Sequence, residues 1–225
     1  MLVSLDKLCG HLCYQFKNIK TLELALTHRS VSNKNNERLE FLGDAILGSV
    51  VAELLFQRFP RASEGELTRL RASLVKGETL AEIGLELSLG DYLKLGSGEL
   101  KSGGFRRASI LACGVEAIIG GVSLDGGYDA ARALIKRLLK SRLDSASPDA
   151  VSKDPKTLLQ EYLQGRKLPL PVYELLRVDG EAHEQLFFIE CRIEGMDEPV
   201  PGSGNSRRKA EQIAAKLAYD KLTNT

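Results

Sequence analysis

The sequence predicts a mainly α N-terminal domain followed by a small α+β domain of order α-β-β-β-α. Three observations lead there. Apolar residues recur at three- and four-residue spacing through most of residues 1–143. A polar stretch, Asp144 to Ser152, has little to bury and reads as a linker. Beyond it, one helical run, three strand-like runs and a last helix follow within about 70 residues. The expected boundaries are 1–143 for the first domain, 144–153 for the linker and 154–225 for the second domain.

The helical pattern is carried by Leu22-Leu26, Leu39-Leu42-Ile46-Val50, Leu67-Leu70-Leu74 and Ile110-Val115-Ile118-Ile119. Phe59-Pro60 breaks it, and Ser63 is placed to cap the next helix. Further breaks fall at Leu95-Gly96-Ser97-Gly98 and at Lys101-Ser102-Gly103-Gly104, and a last helix runs from Tyr128 to Leu143. In the second domain, Asp154 caps a helix with Pro155 at its first position, ending near Gly165. Strands are expected at Val172–Asp179 and, with period-two alternation, at Phe187–Glu194, joined by Asp179-Gly180-Glu181-Ala182-His183. A short strand at Pro199-Val200 leads through Gly202-Ser203-Gly204-Asn205-Ser206 into a helix with apolar face Ala210, Ile213, Ala214, Leu217 and Ala218.

The 225 residues are 43% hydrophobic and 27% charged, ordinary for a soluble globular protein. No apolar run of bilayer-spanning length is expected. Asp6, Lys7, His11 and Lys17 interrupt the first twenty residues, so no signal peptide is expected and a cytoplasmic protein is the default. Cys9, Cys13, Cys113 and Cys191 read as free thiols, not as a disulfide framework or a zinc cluster. Net charge is +1, with 20 basic against 17 acidic residues in 1–147 and 11 against 13 in 148–225. A nucleic-acid surface must therefore be a local patch and not a global field.

On a helix, Glu37, Glu40 and Asp44 stand at i, i+3 and i+7, on one face. Such a row repels itself and needs a cation, and Arg38 points elsewhere. A solvated acidic face is the alternative. Glu116 sits among apolar and small residues, where an isolated carboxylate is costly unless paired or metal-bound. Carboxylates without a His or Cys cluster point to a hard cation such as Mg²⁺, which suits phosphodiester hydrolysis.

The stretch Asn35-Asn36-Glu37-Arg38-Leu39-Glu40-Phe41-Leu42-Gly43-Asp44 resembles the signature motif of ribonuclease III. So do Leu26-Thr27-His28-Arg29-Ser30, Gly98 to Arg107, and Val115-Glu116-Ala117-Ile118-Ile119-Gly120. The resemblance covers nearly the whole chain and is closest to the bacterial two-domain form. It implies a helical endonuclease domain and a double-stranded RNA-binding domain. It further implies Mg²⁺-dependent cleavage of duplex RNA, with Mn²⁺ as a substitute, to 5′-phosphate and 3′-hydroxyl ends. Ribosomal and messenger RNA precursors are the implied targets. By position, Asp44 and Glu116 match catalytic residues and Glu40, Asp44 and Glu116 metal ligands. Glu37 and Glu64 match acids near the scissile RNA. A homodimer is implied, with Phe41 and Gly43 near the interface, an ordinary core position being the alternative for Phe41. His28 reads as a hydrogen-bonded structural residue. Neither a membrane nor a small-molecule cofactor is implied.

One position departs from the pattern. Three residues before Glu116 the family has an aspartate; this chain has Cys113. A thiol is mostly neutral at pH 7 and a poor match for Mg²⁺. Three readings stay open: a weaker enzyme, a protein that binds RNA without cutting it, or a site for a softer metal. In the second domain, the resemblance assigns RNA contacts to Thr157, Gln160 and Glu161 on the first helix and to Gly180 and His183 in the loop. Ser206, Arg207, Arg208 and Lys209 at the last helix start would face phosphates. A solvated charge run is the alternative for the three basic residues. Glu211 stands where the family often has a further lysine.

Overall fold

The computed structural model describes residues 4–148, 154–181 and 184–223. These divide into two compact units, Met1–Val151 and Ser152–Thr225.

The first unit is helical: α1 (Leu5–Leu12), α2 (Ile19–Ala25), α3 (Glu37–Arg58), α4 (Glu64–Val75), α5 (Gly77–Glu86), α6 (Ser97–Lys101), α7 (Ala108–Gly126), α8 (Tyr128–Leu138) and α9 (Lys140–Ser145). The starts follow local chemistry. Ser63 and Glu66 form a reciprocal capping box at α4, and Ser4 and Asn18 cap α1 and α2. The last expected helix is broken at Leu139, and α9 carries helix through Asp144 and Ser145, two residues into the expected linker. Arg58 holds Asp144 there at 3.3 Å.

Helix α7 is the hub. Most of its side chains are buried, and α3, α5, α8 and α2 pack around it. Contrary to the expectation of no spanning-length run, its 19 residues reach a mean hydropathy of 1.5 and are apolar enough to cross a bilayer by length and composition. Here that apolar surface is the core of a bundle, as for any helix hydrophobic on all sides.

The second unit has α10 (Pro155–Gly165), β1 (Val172–Asp179), β2 (Leu186–Arg192), β3 (Val200–Gly204) and α11 (Arg207–Thr223). Its sheet is antiparallel in the order β1-β2-β3, with Val172 opposite Arg192, Cys191 opposite Val200, and a register shift between Leu175 and Arg177. The core lies between this sheet and the helices, around Leu159, Leu163, Ile193 and Val200.

Two expectations change. The Gly-Ser-Gly segment is strand, not lead-in loop. On α11 the buried residues are Ala210, Ala214, Ala215 and Ala218, while Ile213 and Leu217 are exposed. The cause is close approach. A Cβ at Gly202 would lie 2.5 Å from the Ala210 carbonyl oxygen, so only alanine fits against that strand.

Candidate active site

Helices α3 and α7 cross at backbone contact. A Cβ on Gly43 would fall 1.8 Å from the Glu116 carbonyl oxygen, and one on Gly120 would fall 2.1 Å from that of Leu39. Gly43 is therefore a buried crossing point of two helices of one chain. Phe41 is 79% exposed and so is not a core residue.

The crossing sets Glu40, three residues before Gly43, beside Glu116, four residues before Gly120. One ligand atom from each of Glu40, Cys113 and Glu116 lies within 4.8 Å of the others. Asp44 is exposed on the next turn and close enough to act on Glu116. All four line a cavity of about 690 Å³ with Glu37, Phe41, His28, Arg29, Asn36, Glu99, Arg107, Ser109 and Ile110.

The cavity wall is tied together. The buried Asn36 donates its amide to the Ala25 carbonyl. His28 Nδ1 lies 2.8 Å from Ser30 Oγ, which accepts from the Gly96 N–H. His28 is thus hydrogen-bonded, as expected, while also lining the cavity. Arg29 reaches Glu37 at 3.6 Å, supplying a cation at the N-terminal end of the acidic row. Glu64 stands elsewhere. It is exposed at the start of α4, accepts from the Thr68 hydroxyl at 2.7 Å, and does not line this cavity.

Electrostatics separate the acids. Burial, then the charges of Asp44 and Glu40, push the Glu116 carboxyl up to about 7. Burial also pushes the Cys113 thiol up, to about 12, aided by its hydrogen bond to Glu40 and the charges of Glu40 and Glu116. At neutral pH Cys113 is a neutral S–H donating to Glu40. Glu40 and Glu116, with the Asp44 charge nearby, are the residues that would hold a divalent cation. Glu40 and Glu116 fit a cation in charge and proximity, and for Mg²⁺ the set is one hard oxygen short at Cys113.

This cluster makes stability depend on pH. Glu116 holds its proton more tightly folded than unfolded, since its value rises from the ordinary 4.5 to about 7. The contribution of Glu116 to stability is full below pH 4.5, falls as the pH rises, and is lost above 7. We expect a loss of about 2 kcal/mol, below the roughly 3 kcal/mol of the whole shift because the group still touches solvent. Denaturation of the metal-free protein at pH 5 and pH 8 should show this loss, and Glu116→Gln should remove it. Parallel pH profiles for the two proteins would refute it.

In the second unit, Asp154 caps α10, accepting from the Thr157 N–H and hydroxyl, while Gln160 and Glu161 are exposed. Gly180 turns out of β1 with φ 95°. His183 lies outside the described residues. Ser206 Oγ accepts the Lys209 N–H, and Arg207, Arg208 and Lys209 are exposed. Helices α10 and α11 are joined at these ends. Gln212 donates to Asp154 at 2.8 Å, and Glu211 takes Lys156 at 2.6 Å and Arg207 at 3.1 Å.

Residues 18–143 match the family described as Ribonuclease-III-like. The chain belongs to the ribonuclease III family. Residues 155–222 match the double-stranded RNA binding motif. Ribonuclease 3 of Vibrio vulnificus is 59% identical over 220 residues, covering 98% of both chains. That of Vibrio cholerae is 57% identical over 224 residues, covering all of both. Among solved structures, the nuclease domain of ribonuclease III from Campylobacter jejuni matches with TM-score 0.61 and 41% identity, over 64% of this chain and 99% of that one. The chain is an endoribonuclease of the ribonuclease III type, with a helical nuclease domain and a double-stranded RNA-binding domain.

The cavity also holds two residues that the acidic pattern alone does not single out, Glu99 and Arg107, which pair at 2.9 Å. Their signal was a charge eight residues from its partner across Gly103-Gly104. Gly103, at φ 75°, turns the chain back on itself there.

Proposed function

We propose that the chain cuts both strands of double-stranded RNA, in a reaction that needs Mg²⁺, to leave 5′-phosphate and 3′-hydroxyl ends. The observation that carries this reading is the carboxylate cluster at the α3–α7 crossing, in one chain with a duplex-RNA-binding domain. Glu40, Asp44 and Glu116 hold the cation, with Mn²⁺ able to replace it. When bound, the cation supplies charge neutralisation at the attacked phosphate and an activated water. Glu116 would give up its proton on holding the cation. Arg29 and Arg107 line the same cavity and are available to an incoming phosphate once Glu37 and Glu99 release them.

The enzyme works as a homodimer on this reading. Phe41 and Leu124, 79% and 66% exposed, line an apolar groove with Leu24 and Leu42 beside the cavity. A second copy of the chain is its proposed occupant. The C. jejuni nuclease domain is described as having a region involved in dimer formation. Four free thiols suit a reducing compartment, and we place the enzyme in the cytoplasm.

A long RNA duplex incubated with Mg²⁺, with Mn²⁺ and with EDTA tests the reading. Cleavage is expected in both metals and none in EDTA. The second reading, binding without cutting, is favoured by the neutral Cys113 thiol where a hard ligand is needed. A gel shift with no cleavage in either metal establishes it and sinks the first.

In the RNA-binding domain, Glu211 engages Lys156 and Arg207, while Arg208 and Lys209 are exposed where phosphates would approach. Glu211→Gln should release Arg207, tighten duplex binding about threefold and steepen the salt dependence by about one unit of slope. Filter binding across a salt series checks this; an unchanged slope means Arg207 already reaches the RNA.

A further inference from the structure

The cluster at the helix crossing is not a pure carboxylate site. Its closest donors are two carboxylates and one sulfur, drawn from α3 and α7. Close backbone packing at Gly43 and Gly120 fixes those helices against each other, so the three donors are held at one place. Cys113 is half-buried and lines the cavity, so an ion can reach its sulfur. Among the described residues no other His, Cys, Asp and Glu group comes together this closely.

Sulfur and oxygen donors select different ions. Mg²⁺ wants hard oxygens and gains little from a thiol, whereas borderline and soft divalent ions bind thiolate and carboxylate together. Around zinc, with sulfur near 2.3 Å and oxygen near 2.1 Å, neighbouring tetrahedral donors stand roughly 3.5 Å apart. The cluster's donors already lie within 4.8 Å of one another, so reaching that spacing asks each side chain to move by only about 1 Å. Asp44 or a water completes the fourth position.

We infer that Glu40, Cys113 and Glu116 form a mixed sulfur–oxygen site that takes a thiophilic divalent cation of the Zn²⁺, Co²⁺ and Cd²⁺ class. On binding, the Cys113 S–H bond breaks, a sulfur–metal bond forms and the proton leaves to solvent, with no change of oxidation state. The thiophilic ion and Mg²⁺ share Glu40 and Glu116, so they compete. Low levels of the thiophilic ion then switch off Mg²⁺-supported cleavage. That last consequence rests on the nuclease reading above; the binding itself does not.

Co²⁺ titration of the intact protein tests the binding. One equivalent should raise a near-ultraviolet thiolate-to-cobalt charge-transfer band, and Zn²⁺ should displace it. Cys113→Ser should abolish the band and weaken Zn²⁺ binding at least about tenfold. Cys113→Asp should also abolish it while still binding Mg²⁺, which shows that the fold and the carboxylates survive. The inference is overturned if the wild-type protein gives no band, if the band persists in both variants, or if Zn²⁺ affinity changes less than about twofold on loss of the thiol. Duplex cleavage in Mg²⁺ alone is scored separately. A band without cleavage upholds the ion site and sinks the nuclease reading, and cleavage without a band does the reverse.

Discussion

Gly43→Ala should destabilise the nuclease domain by about 4 kcal/mol or more and abolish duplex cleavage with it. The added methyl would sit 1.8 Å from the Glu116 carbonyl oxygen and 2.6 Å from its carbon. Both are backbone atoms of the buried hub helix, so no side chain can swing aside. Relief requires α3 and α7 to part by about 1.5 Å, which breaks close packing along both helices. Parting them also draws Glu40 and Asp44 away from Glu116, so activity falls with stability. Gly48→Ala, on the same helix, is the control. Nothing lies within 4 Å of a Cβ there, and the gain in helix propensity should be neutral to stabilising by up to about 1 kcal/mol. Urea denaturation of the two variants should differ in sign, and equal transitions would refute the crossing as a steric constraint.

The contrast between these two glycines shows what a sequence can carry. Both stand inside one helical pattern, and propensity treats them alike. Only the partner helix tells them apart, and that partner lies about 75 residues away in sequence, a contact that local periodicity does not encode. Features written locally were legible. The Ser63 cap, the Asp154-Pro155 start of α10 and the alternation in β2 all depend on neighbours within a few residues. The face of α11 was misjudged for the opposite reason. Ile213 and Leu217 have the right helical phase, but the glycines of β3 decide which residues can approach.

The site divides the same way. The phase of Glu37, Glu40 and Asp44 follows from helix geometry, and Glu116 was conspicuous as a carboxylate among apolar neighbours. That Glu40 and Glu116 face each other came from family resemblance, since no spacing rule links residues on different helices. Glu64 was grouped with them by the same resemblance, yet it lies outside the cavity formed by its own chain. Arg29 and Arg107 became visible as cavity cations only once the turns around Ser30 and Gly103 were known.

Cys113→Asp should raise cleavage at limiting Mg²⁺ by about 100-fold. The substitution replaces a neutral S–H with a carboxylate, completing the hard-oxygen donor set at the end of the cluster that now lacks one. It also releases Glu40 from accepting the thiol's hydrogen bond. The gain has an opposite side. Without a cation, a further carboxylate beside Glu40 and Glu116 adds like charge to a site where Glu116 already holds its proton to about 7. The metal-free variant should therefore be less stable than the wild-type protein by about 1–3 kcal/mol, and Mg²⁺ should restore more stability to it than to the wild type. A Mg²⁺ series separates the two roles Cys113 can play. If the thiol limits only cation affinity, the variant's curve shifts to lower Mg²⁺ and the two proteins meet at saturation. If it also weakens stabilisation of the reacting phosphate, a gap persists at saturation, because the missing charge is then felt in the transition state as well as in the bound cation. Equal rates at every Mg²⁺ concentration would show that three carboxylates suffice and that Cys113 is neutral to the chemistry.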